Sequence, residues 1–237
     1  MLILEQHSNC VKMVPVTTQQ PRTPRRTEAL TLKRIIEAAV QVLDGEGESA
    51  LTFRTLTTRL STGAGAIYHH VANKNELLAA AADGIIGTAL AENARTGEPQ
   101  QAIRAIALGI FDAIDAHPWL GAQLPREPWQ PAVLRIWTAL GIQLDGLGIS
   151  GQARSDAGAA LLNYVLGSAA QYAAGARQAP NDADRAQYLE QLASRWKSAD
   201  SDPLTREMAS LLRDHDDRAQ FLAGVDIFLA GIKSGSA

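Results

Sequence analysis

Cysteine is almost missing from this chain, and so are long apolar runs. Cys10 is the single cysteine among 237 residues. An intramolecular disulfide and a cysteine metal cluster are therefore excluded, which favours a reducing, cytoplasmic location. No apolar run is long enough to span a bilayer. The opening segment MLIL is short and has no basic flank, so we do not expect a signal peptide.

Motifs of catalysis are also missing. The sequence contains no G-x-S-x-G, no H-E-x-x-H and no Gly-rich phosphate loop, and no nucleophile has a recognisable base beside it. His69 and His70 are adjacent, so they would not share a helix face, and no third metal ligand is close in sequence. We therefore expect no enzyme, no metal site and no cofactor.

Charge is unevenly distributed along the chain, although the net charge is only −3. Residues 1–80 carry +2 and residues 81–237 carry −5. Between residues 22 and 34, five basic side chains face one acid, Glu28. The pattern predicts a basic surface near the N-terminus. The overall charge, in contrast, is not that of a generic nucleic-acid binder.

Residues 1–26 mix proline, threonine and glutamine with little apolar periodicity, and they end in Arg25 and Arg26. This composition predicts a disordered basic arm. Such an arm can reach phosphates or an adjacent minor groove of DNA. A solvated tail without a specific role is an equally good interpretation.

Helical periodicity extends over the rest of the chain. Residues 27–43 place apolar side chains at helical spacing, and Gly45 is expected to form a left-handed cap near the end of that helix. Asn73 with Glu76 predicts a capping box that opens a helix continuing to about residue 90. No strand-like alternation is present, so the predicted fold is all-α. Further helices are predicted at 100–116, 133–147, 150–178, 184–197, 203–213 and 216–232, with an irregular segment at 119–131.

The stretch 52–78 has the pattern of a helix-turn-helix. Phe53, Leu56 and Leu60 lie along one face of its first helix, and Ser61-Thr62-Gly63 breaks that helix. Residues 64–71 supply a second short helix. Two short helices about a turn of small residues are typical of this motif.

At these residues the chain resembles the DNA-binding domain of the TetR family of bacterial repressors. The resemblance rests on Ile67-Tyr68-His69-His70-Val71, followed by Lys74 and Leu77, and it covers roughly residues 32–78. It implies a three-helix DNA-binding domain at 27–75. It also implies a larger helical domain at 76–237 that binds a ligand and forms the dimer.

The resemblance assigns four side chains to the DNA backbone: Thr52, Tyr68, His70 and Lys74. The charge of Lys74 would add to the dipole at the start of its helix, and both favour an anion. Taken singly, Tyr68 could instead pack against the first helix, and Lys74 could be a solvated lysine.

Base reading is expected from fewer groups. The first turn of the second short helix carries only glycine and alanine, which offer no side-chain hydrogen bonds. Direct contacts with base edges are therefore expected from Arg54, Thr62 and His69, and apolar contact with thymine methyls from Ala64 or Ala66. DNA shape and the basic arm would then contribute more to recognition.

In the larger domain, the resemblance implies that helix 150–178 and the closing segment 221–232 form a four-helix interface between two subunits. A core role is the alternative for both helices, and for each pocket candidate taken singly. Aromatic and polar side chains of the middle helices are the candidates for a ligand pocket. They are Phe111, His117, Trp119, Trp137, Asn163, Tyr164, Gln171 and Tyr172.

The sequence thus predicts a homodimeric repressor that binds a palindromic double-stranded DNA operator and is released by a small-molecule effector. The alternative is an all-helical small-molecule-binding or interaction protein without sequence-specific DNA binding. That alternative explains the larger domain but not the combination of Tyr68 and Lys74.

Overall fold

The computed structural model describes residues 30–93, 97–176, 182–199, 202–212 and 215–234, and these ranges contain helices and no β-strand. The predicted all-α fold is confirmed. A 3-10 turn, Glu48–Ala50, joins the first two of eleven α-helices in these ranges. The helices are α1 (Leu32–Glu46), α2 (Phe53–Leu60), α3 (Ala64–Tyr68), α4 (Lys74–Asn93), α5 (Pro99–Ala116), α6 (Trp119–Gln123), α7 (Pro131–Gly146), α8 (Gly151–Ala176), α9 (Asp182–Ala199), α10 (Pro203–Leu211) and α11 (Asp217–Ser234).

The first helix begins and ends later than its periodicity predicts. Thr31 caps α1, because its Oγ1 accepts a hydrogen bond from the Arg34 amide at 3.3 Å. The expectation that Gly45 ends the helix is wrong. The left-handed position falls on the next glycine, Gly47, which has φ 80°, a conformation that glycine adopts without steric cost.

The helix-turn-helix forms where the sequence predicts it. Thr52 caps α2, and Ser61 ends that helix in the left-handed conformation with φ 49°. The following helix, α3, ends at Tyr68 rather than at residue 71, because His69 and His70 lie in a turn. Asn73 then caps α4, and its Oδ1 accepts a hydrogen bond from the Glu76 amide at 2.9 Å.

The predicted capping box at this helix start forms in a modified version. The Glu76 carboxylate accepts a hydrogen bond at 2.6 Å from the amide of Ala72, one residue before the cap, rather than from the amide of the cap itself. Two otherwise unpaired amides at the helix start are satisfied in this way. The entry into α4 is therefore fixed by local bonds that the sequence encodes.

Helix α4 joins the small N-terminal bundle to the larger domain. It packs against α1 on one side and against α5 and α7 on the other. The buried side chains form one continuous cluster that runs from α1 through α4 to α11. Members of that cluster on either side of the joint include Ile35, Leu56, Ile67, Leu78, Ile86, Ile106, Leu140, Leu161 and Phe221.

The larger domain is built on α5, α7 and α8, which pack against one another, with α11 against α5 and α8. The segment 119–131, expected to be irregular, contains the short helix α6. Pro118 adopts φ −59° at its N-cap, a backbone angle that proline holds and that suits a helix start. The fully buried Leu120 anchors this helix, which packs against α8.

Candidate nucleic-acid interface and cavities

Tyr68 lies at the last position of α3 and is 53% exposed. Its ring stacks on Phe53, with 4.5 Å between ring centroids and an interplanar angle of 23°. Stacking of this kind contributes about 0.5–1.5 kcal/mol beyond the area buried. Phe53 belongs to α2, so the stack holds the Tyr68 ring beside the first turn of that helix. More than half of Tyr68 remains accessible.

Thr52 marks the exposed start of α2. Its Oγ1 accepts a hydrogen bond from the Thr55 amide at 3.1 Å and lies 2.9 Å from the Thr55 hydroxyl oxygen. The Thr55 hydroxyl in turn donates to the Ala50 carbonyl at 2.9 Å. Thr52 is exposed, and the positive end of the helix dipole at this position favours an anion such as a phosphate.

The small residues of α3 are at its exposed surface. Gly63, Ala64 and Gly65 are exposed, whereas Thr62 is half-buried. A Cβ atom added at Gly63 or Gly65 would meet no atom within 4 Å. The backbone of this helix can therefore come close to a flat partner surface such as the floor of a major groove.

The remaining candidate residues of this surface are also accessible. Arg54, His69 and His70 are exposed, and Arg54 makes no ion pair with any residue that the structure describes. Arg25 and Arg26 lie outside the described residues.

The described residues contain no group of three or more His, Cys, Asp or Glu side chains that could hold a metal ion.

Lys74 stands at the first position of α4, and its ammonium group is already engaged within the chain. Its Nζ donates to the Glu48 carbonyl oxygen at 2.6 Å and lies 3.9 Å from Glu48 Oε1. The side chain is still 37% exposed. Lys74 therefore holds the start of α4 to the turn between α1 and α2 while one side of its charge faces solvent.

Glu48 connects Lys74 to the larger domain, and sequence reasoning missed this connection. The Arg126 guanidinium holds the Glu48 carboxylate with two hydrogen bonds, of 3.0 Å from Nη1 and 2.6 Å from Nη2. The hydrogen bond from Arg126 is the main reason that the pKa of Glu48 lies below its ordinary value. The sequence carries no local signal for this contact, because the two residues are 78 positions apart.

Arg126 is in turn held by the buried Gln123 at the end of α6, and the buried Gln130 fixes the chain around that glutamine. Its Nη1 donates to Gln123 Oε1 at 3.1 Å. Gln130 Nε2 donates to the carbonyl oxygens of Gln123 and Leu124 at 3.0 and 2.8 Å. Buried polar groups that are fully paired fix one arrangement of a loop. A polar chain therefore runs from the loop before α7 through Arg126 and Glu48 to Lys74.

A second polar joint links α1 to the end of α5. The Asp44 carboxylate lies 2.9 Å from His117 Nδ1 and accepts a hydrogen bond at 2.9 Å from Trp119 Nε1. The Trp119 side chain is buried. Two of the predicted ligand residues thus anchor the N-terminal bundle to the larger domain.

Three other predicted ligand residues belong to an aromatic cluster around Phe221 of α11. Phe111 and Tyr164 lie with ring centroids 4.8 and 5.7 Å from Phe221, and Tyr172 lies 5.9 Å from Phe111. The Tyr164 hydroxyl donates to the Phe221 carbonyl at 2.9 Å. Burial raises the pKa of both tyrosines. The cluster ties α5 and α8 to α11.

Two of the cavities at the surface of the helical body contain predicted ligand residues that belong to different parts of the larger domain. The first, which we call the junction groove, has a volume of about 890 Å³ and lies between α1, α4 and α5. The second, the distal cavity, has about 370 Å³ and lies between α8, α9, α10 and α11. The junction groove is lined by Ile36, Val40, Gly84, Ile85, Glu92 and His117 among others.

Of the predicted ligand residues, His117 lines the junction groove, whereas Gln171 and Tyr172 line the distal cavity. Trp137 lies on α7 at a small surface pocket, and Asn163 is exposed on α8. The eight predicted residues therefore do not form one pocket in this arrangement of the chain. The side chains of the junction groove from α1 and α4 were not among them.

The outer faces of α8 and α11 are exposed and consist mostly of small residues. Ile227 of α11 is 74% exposed, and Ala223, Ala230 and Gly231 on the same helix are exposed as well. On α8, Gly167 is exposed beside Asn163.

No helix in the described ranges combines the length and apolarity needed to cross a bilayer.

Comparison with known proteins agrees with this geometry. The family described as bacterial regulatory proteins, tetR family, matches residues 35–81, the range that contains most of α1, all of α2 and α3, and the start of α4. The transcriptional regulator SCO7222, a TetR from Streptomyces coelicolor, is 44% identical, with a TM-score of 0.77 over 86% of this chain and 98% of that one. The chain belongs to the TetR family. The predicted family resemblance is confirmed.

Two further relatives are informative. The HTH-type transcriptional repressor DrrR1 of Streptomyces coeruleorubidus is 36% identical over 102 residues, or 42% of this chain and 36% of that protein. The Streptomyces coelicolor protein ActR in complex with actinorhodin is 26% identical, with a TM-score of 0.70 over 88% of this chain and 99% of that one. The chain spans less than two thirds of the length of the curated relatives it matches.

Proposed function

We propose that this TetR-family protein is a homodimeric repressor that binds a palindromic DNA operator and is released by a small-molecule effector. The observation that carries the proposal is the exposed surface around the second short helix. Tyr68 is held on Phe53 beside the capped start of α2, and Lys74 stands at the start of α4. Thr52, Tyr68, His70 and Lys74 contact phosphates, which positions the small-residue helix α3 in the major groove.

The base contacts of this surface are few. Arg54, Thr62 and His69 supply hydrogen-bonding side chains, and Ala64 supplies apolar contact to a thymine methyl. Arg25 and Arg26 extend the basic surface toward the minor groove. Because direct contacts are sparse, recognition depends strongly on sequence-dependent DNA shape.

The dimer places two such surfaces on one face of the DNA. A second copy of the chain covers the small-residue faces of α8 and α11, with Ile227 at the centre. Small residues allow helices to approach closely, and burying an exposed isoleucine stabilises the interface by about 1.5–3 kcal/mol. A two-fold dimer matches the symmetry of a palindromic site.

Effector response requires that the larger domain and the DNA-binding surface change together. The two polar joints, Glu48 with Arg126 and Asp44 with His117 and Trp119, cross between them. An effector that binds one arrangement of these joints better than the other shifts the population away from the DNA-binding state. ActR, named in complex with actinorhodin, and DrrR1, named a repressor, support this proposal.

The protein acts in this proposal as a regulator in the cytoplasm and not as an enzyme. The competing proposal is an all-helical ligand-binding or interaction protein. The two proposals predict different effects of changes in the DNA-binding surface. Such a protein would keep all its activities when the DNA-binding surface is altered. The Tyr68→Phe change keeps the ring stack on Phe53 and removes only the hydroxyl, so it tests the phosphate contact with little effect on packing.

The experiment is retention of duplex DNA from a random-sequence pool by the wild type and by the double variant Tyr68→Phe, Lys74→Gln. The wild type should retain DNA and enrich particular sequences, whereas the double variant should lose most retention with unchanged helical circular dichroism. Equal retention by both proteins would contradict the proposed interface. Retention by neither would favour the ligand-binding or interaction protein.

A further inference from the structure

The junction groove has the size and composition of a ligand site, and it is the larger of the two cavities described above. Its volume of about 890 Å³ falls in the range of roughly 300–1,000 Å³ that holds drug-sized molecules. Ile36 and Val40 of α1 and Ile85 of α4 form apolar walls and are only partly buried. The space between them exists because α4 and α5 contribute small residues such as Gly84 and Ala113.

The groove differs from the distal cavity in two respects. The distal cavity holds about 370 Å³, and its polar groups are already paired with one another, Arg185 with Asp217 and Tyr172 with Gln220. None of its lining residues comes from the DNA-binding domain. The junction groove, in contrast, has one wall on α1, within the DNA-binding domain, and the opposite wall on α5.

Charge at one end of the groove indicates the class of ligand. Glu92 lines the groove in the last turn of α4, where the helix dipole also favours a positive group. Within the residues that the structure describes, Glu92 has no cationic partner. The other charged side chains of the lining are balanced, because Lys33 pairs with Glu37 and Asp112 pairs with Arg218.

We propose that the junction groove is the effector site, and that it takes a largely apolar, drug-sized cation whose positive group lies beside Glu92. The proposal rests on the proposed function, since it names the site through which release from DNA occurs. His117 lines the opposite end of the groove and holds Asp44 of α1. A ligand seated between α1 and α5 therefore acts on the same joint that fixes the DNA-binding domain.

Three glycines allow a matched test. Gly84 lines the junction groove, Gly87 of the same helix lines neither cavity, and Gly175 lines the distal cavity. A Cβ atom added at Gly84 or Gly87 meets nothing within 4 Å, and one added at Gly175 makes ordinary contact at 3.7 Å with Arg185. Each backbone position therefore accepts a Cβ atom without a clash, and leucine favours a helix more than glycine does.

The probe is crystal violet, a lipophilic triarylmethane cation, with bromophenol blue as the anionic dye of related shape. We expect the wild type to bind crystal violet, and Gly84→Leu to weaken that binding at least about tenfold. Gly87→Leu and Gly175→Leu should bind as the wild type does. Glu92→Gln should weaken crystal violet about three- to tenfold, and bromophenol blue should bind more weakly than crystal violet throughout.

Several results would overturn the site. They are no binding of crystal violet, loss of binding in Gly175→Leu instead of Gly84→Leu, or stronger binding of the anionic dye. A change of oligomeric state in Gly84→Leu would assign the groove to a second copy of the chain. Binding that appears only after removal of residues 1–29 would assign it to the chain's own N-terminal segment.

Operator binding is measured separately, so that failure of the site and failure of the proposed function can be told apart. With the duplex enriched from the random pool, saturating crystal violet should release the wild type but not Gly84→Leu. If bound dye leaves the affinity for the operator unchanged, the effector site is contradicted and the repressor proposal is not. Dye binding in the groove without operator binding would overturn the repressor proposal itself.

Discussion

Replacing Lys74 by glutamine separates a phosphate contact from a structural role. In the structure the Lys74 ammonium group donates to the Glu48 carbonyl at 2.6 Å and remains 37% exposed. If Lys74 also neutralises one DNA phosphate, binding of the Lys74→Gln variant should release one counterion fewer per subunit than binding of the wild type. The slope of log affinity against log salt concentration should then become shallower by about 0.9 per subunit, or about 1.8 for a dimer.

The same substitution has a cost for stability, which the assay must separate from DNA binding. Loss of one partly exposed hydrogen bond should lower the free energy of unfolding by about 1 kcal/mol. The measurement is fluorescence anisotropy of the enriched duplex at several salt concentrations, together with a thermal melt. The control is Lys197→Gln on α9, which removes the same charge from an exposed position in the larger domain.

The control should change neither the slope nor the melting temperature appreciably. A Lys74→Gln protein that is destabilised but keeps the wild-type salt slope would refute the phosphate contact. Lys74 would then serve only to fix α4 to the turn between α1 and α2. A shallower slope in both variants would show that the general charge of the protein, and not this site, sets the salt dependence.

Three further changes test the packing and the joints. Arg126→Ala should cost about 0.5–1 kcal/mol at neutral pH, because its ion pair with Glu48 is partly exposed. Arg126 lowers the pKa of Glu48, so this contribution is present above the unfolded carboxyl pKa of about 4.3 and is lost as the pH falls through the folded value. Gly224→Ala should cost about 1–3 kcal/mol, because its Cβ would lie 1.9 Å from the Tyr164 hydroxyl. Ser61→Gly should stabilise by about 0.5–1 kcal/mol, since Ser61 holds a left-handed φ of 49°.

Thermal and denaturant unfolding check these three predictions. For the joint, the stability difference between wild type and Arg126→Ala should be smaller in acid than at pH 7, because the Glu48 contribution is lost there and only the bond to Gln123 remains; a difference of the same size at both pH values would contradict the ion pair as its cause. For Gly224, the control is Gly141→Ala, where the added Cβ meets nothing within 4 Å, so equal effects of the two changes would contradict the clash. If the Ser61→Gly protein is less stable than the wild type, the serine side chain contributes more to stability than its left-handed backbone conformation costs.

Local signals in the sequence were sufficient for the parts of the interface that are close along the chain. The break at Ser61 and the cap at Asn73 depend on hydrogen bonds within three or four residues. Such bonds follow from residue type and spacing. The apolar periodicity likewise predicted every long helix, although boundaries moved by up to several residues.

Other features depend on contacts that no local pattern reveals. Gly45 and Gly47 are both close to the end of α1, and only the folded chain decides that Gly45 stays helical while Gly47 takes the positive φ. Helix α6 was missed because its segment is rich in proline, while the burial of Leu120 that stabilises it is a tertiary effect. The bond from Arg126 to Glu48 and the joint of Asp44 with His117 span more than 70 residues.

The candidate ligand residues illustrate the same limit. Residue type alone selected aromatic and polar side chains, but several of them are engaged in contacts within the protein, such as the Tyr164 hydroxyl with the Phe221 carbonyl. The junction groove is formed instead by aliphatic and small residues of three helices, for example Val40, Gly84 and Ala113. A gap between helices depends on how they pack, so the sequence pattern of any single helix does not encode it.

The most direct test of the central claim is selection of bound duplexes from a random DNA library by the purified wild-type protein at near-physiological salt. A dimeric repressor should enrich an inverted repeat whose half-sites are about 34–36 Å, or a multiple of that distance, apart along the DNA axis. Failure to enrich any sequence, by a protein that remains folded and helical, would contradict the claim that this surface reads an operator.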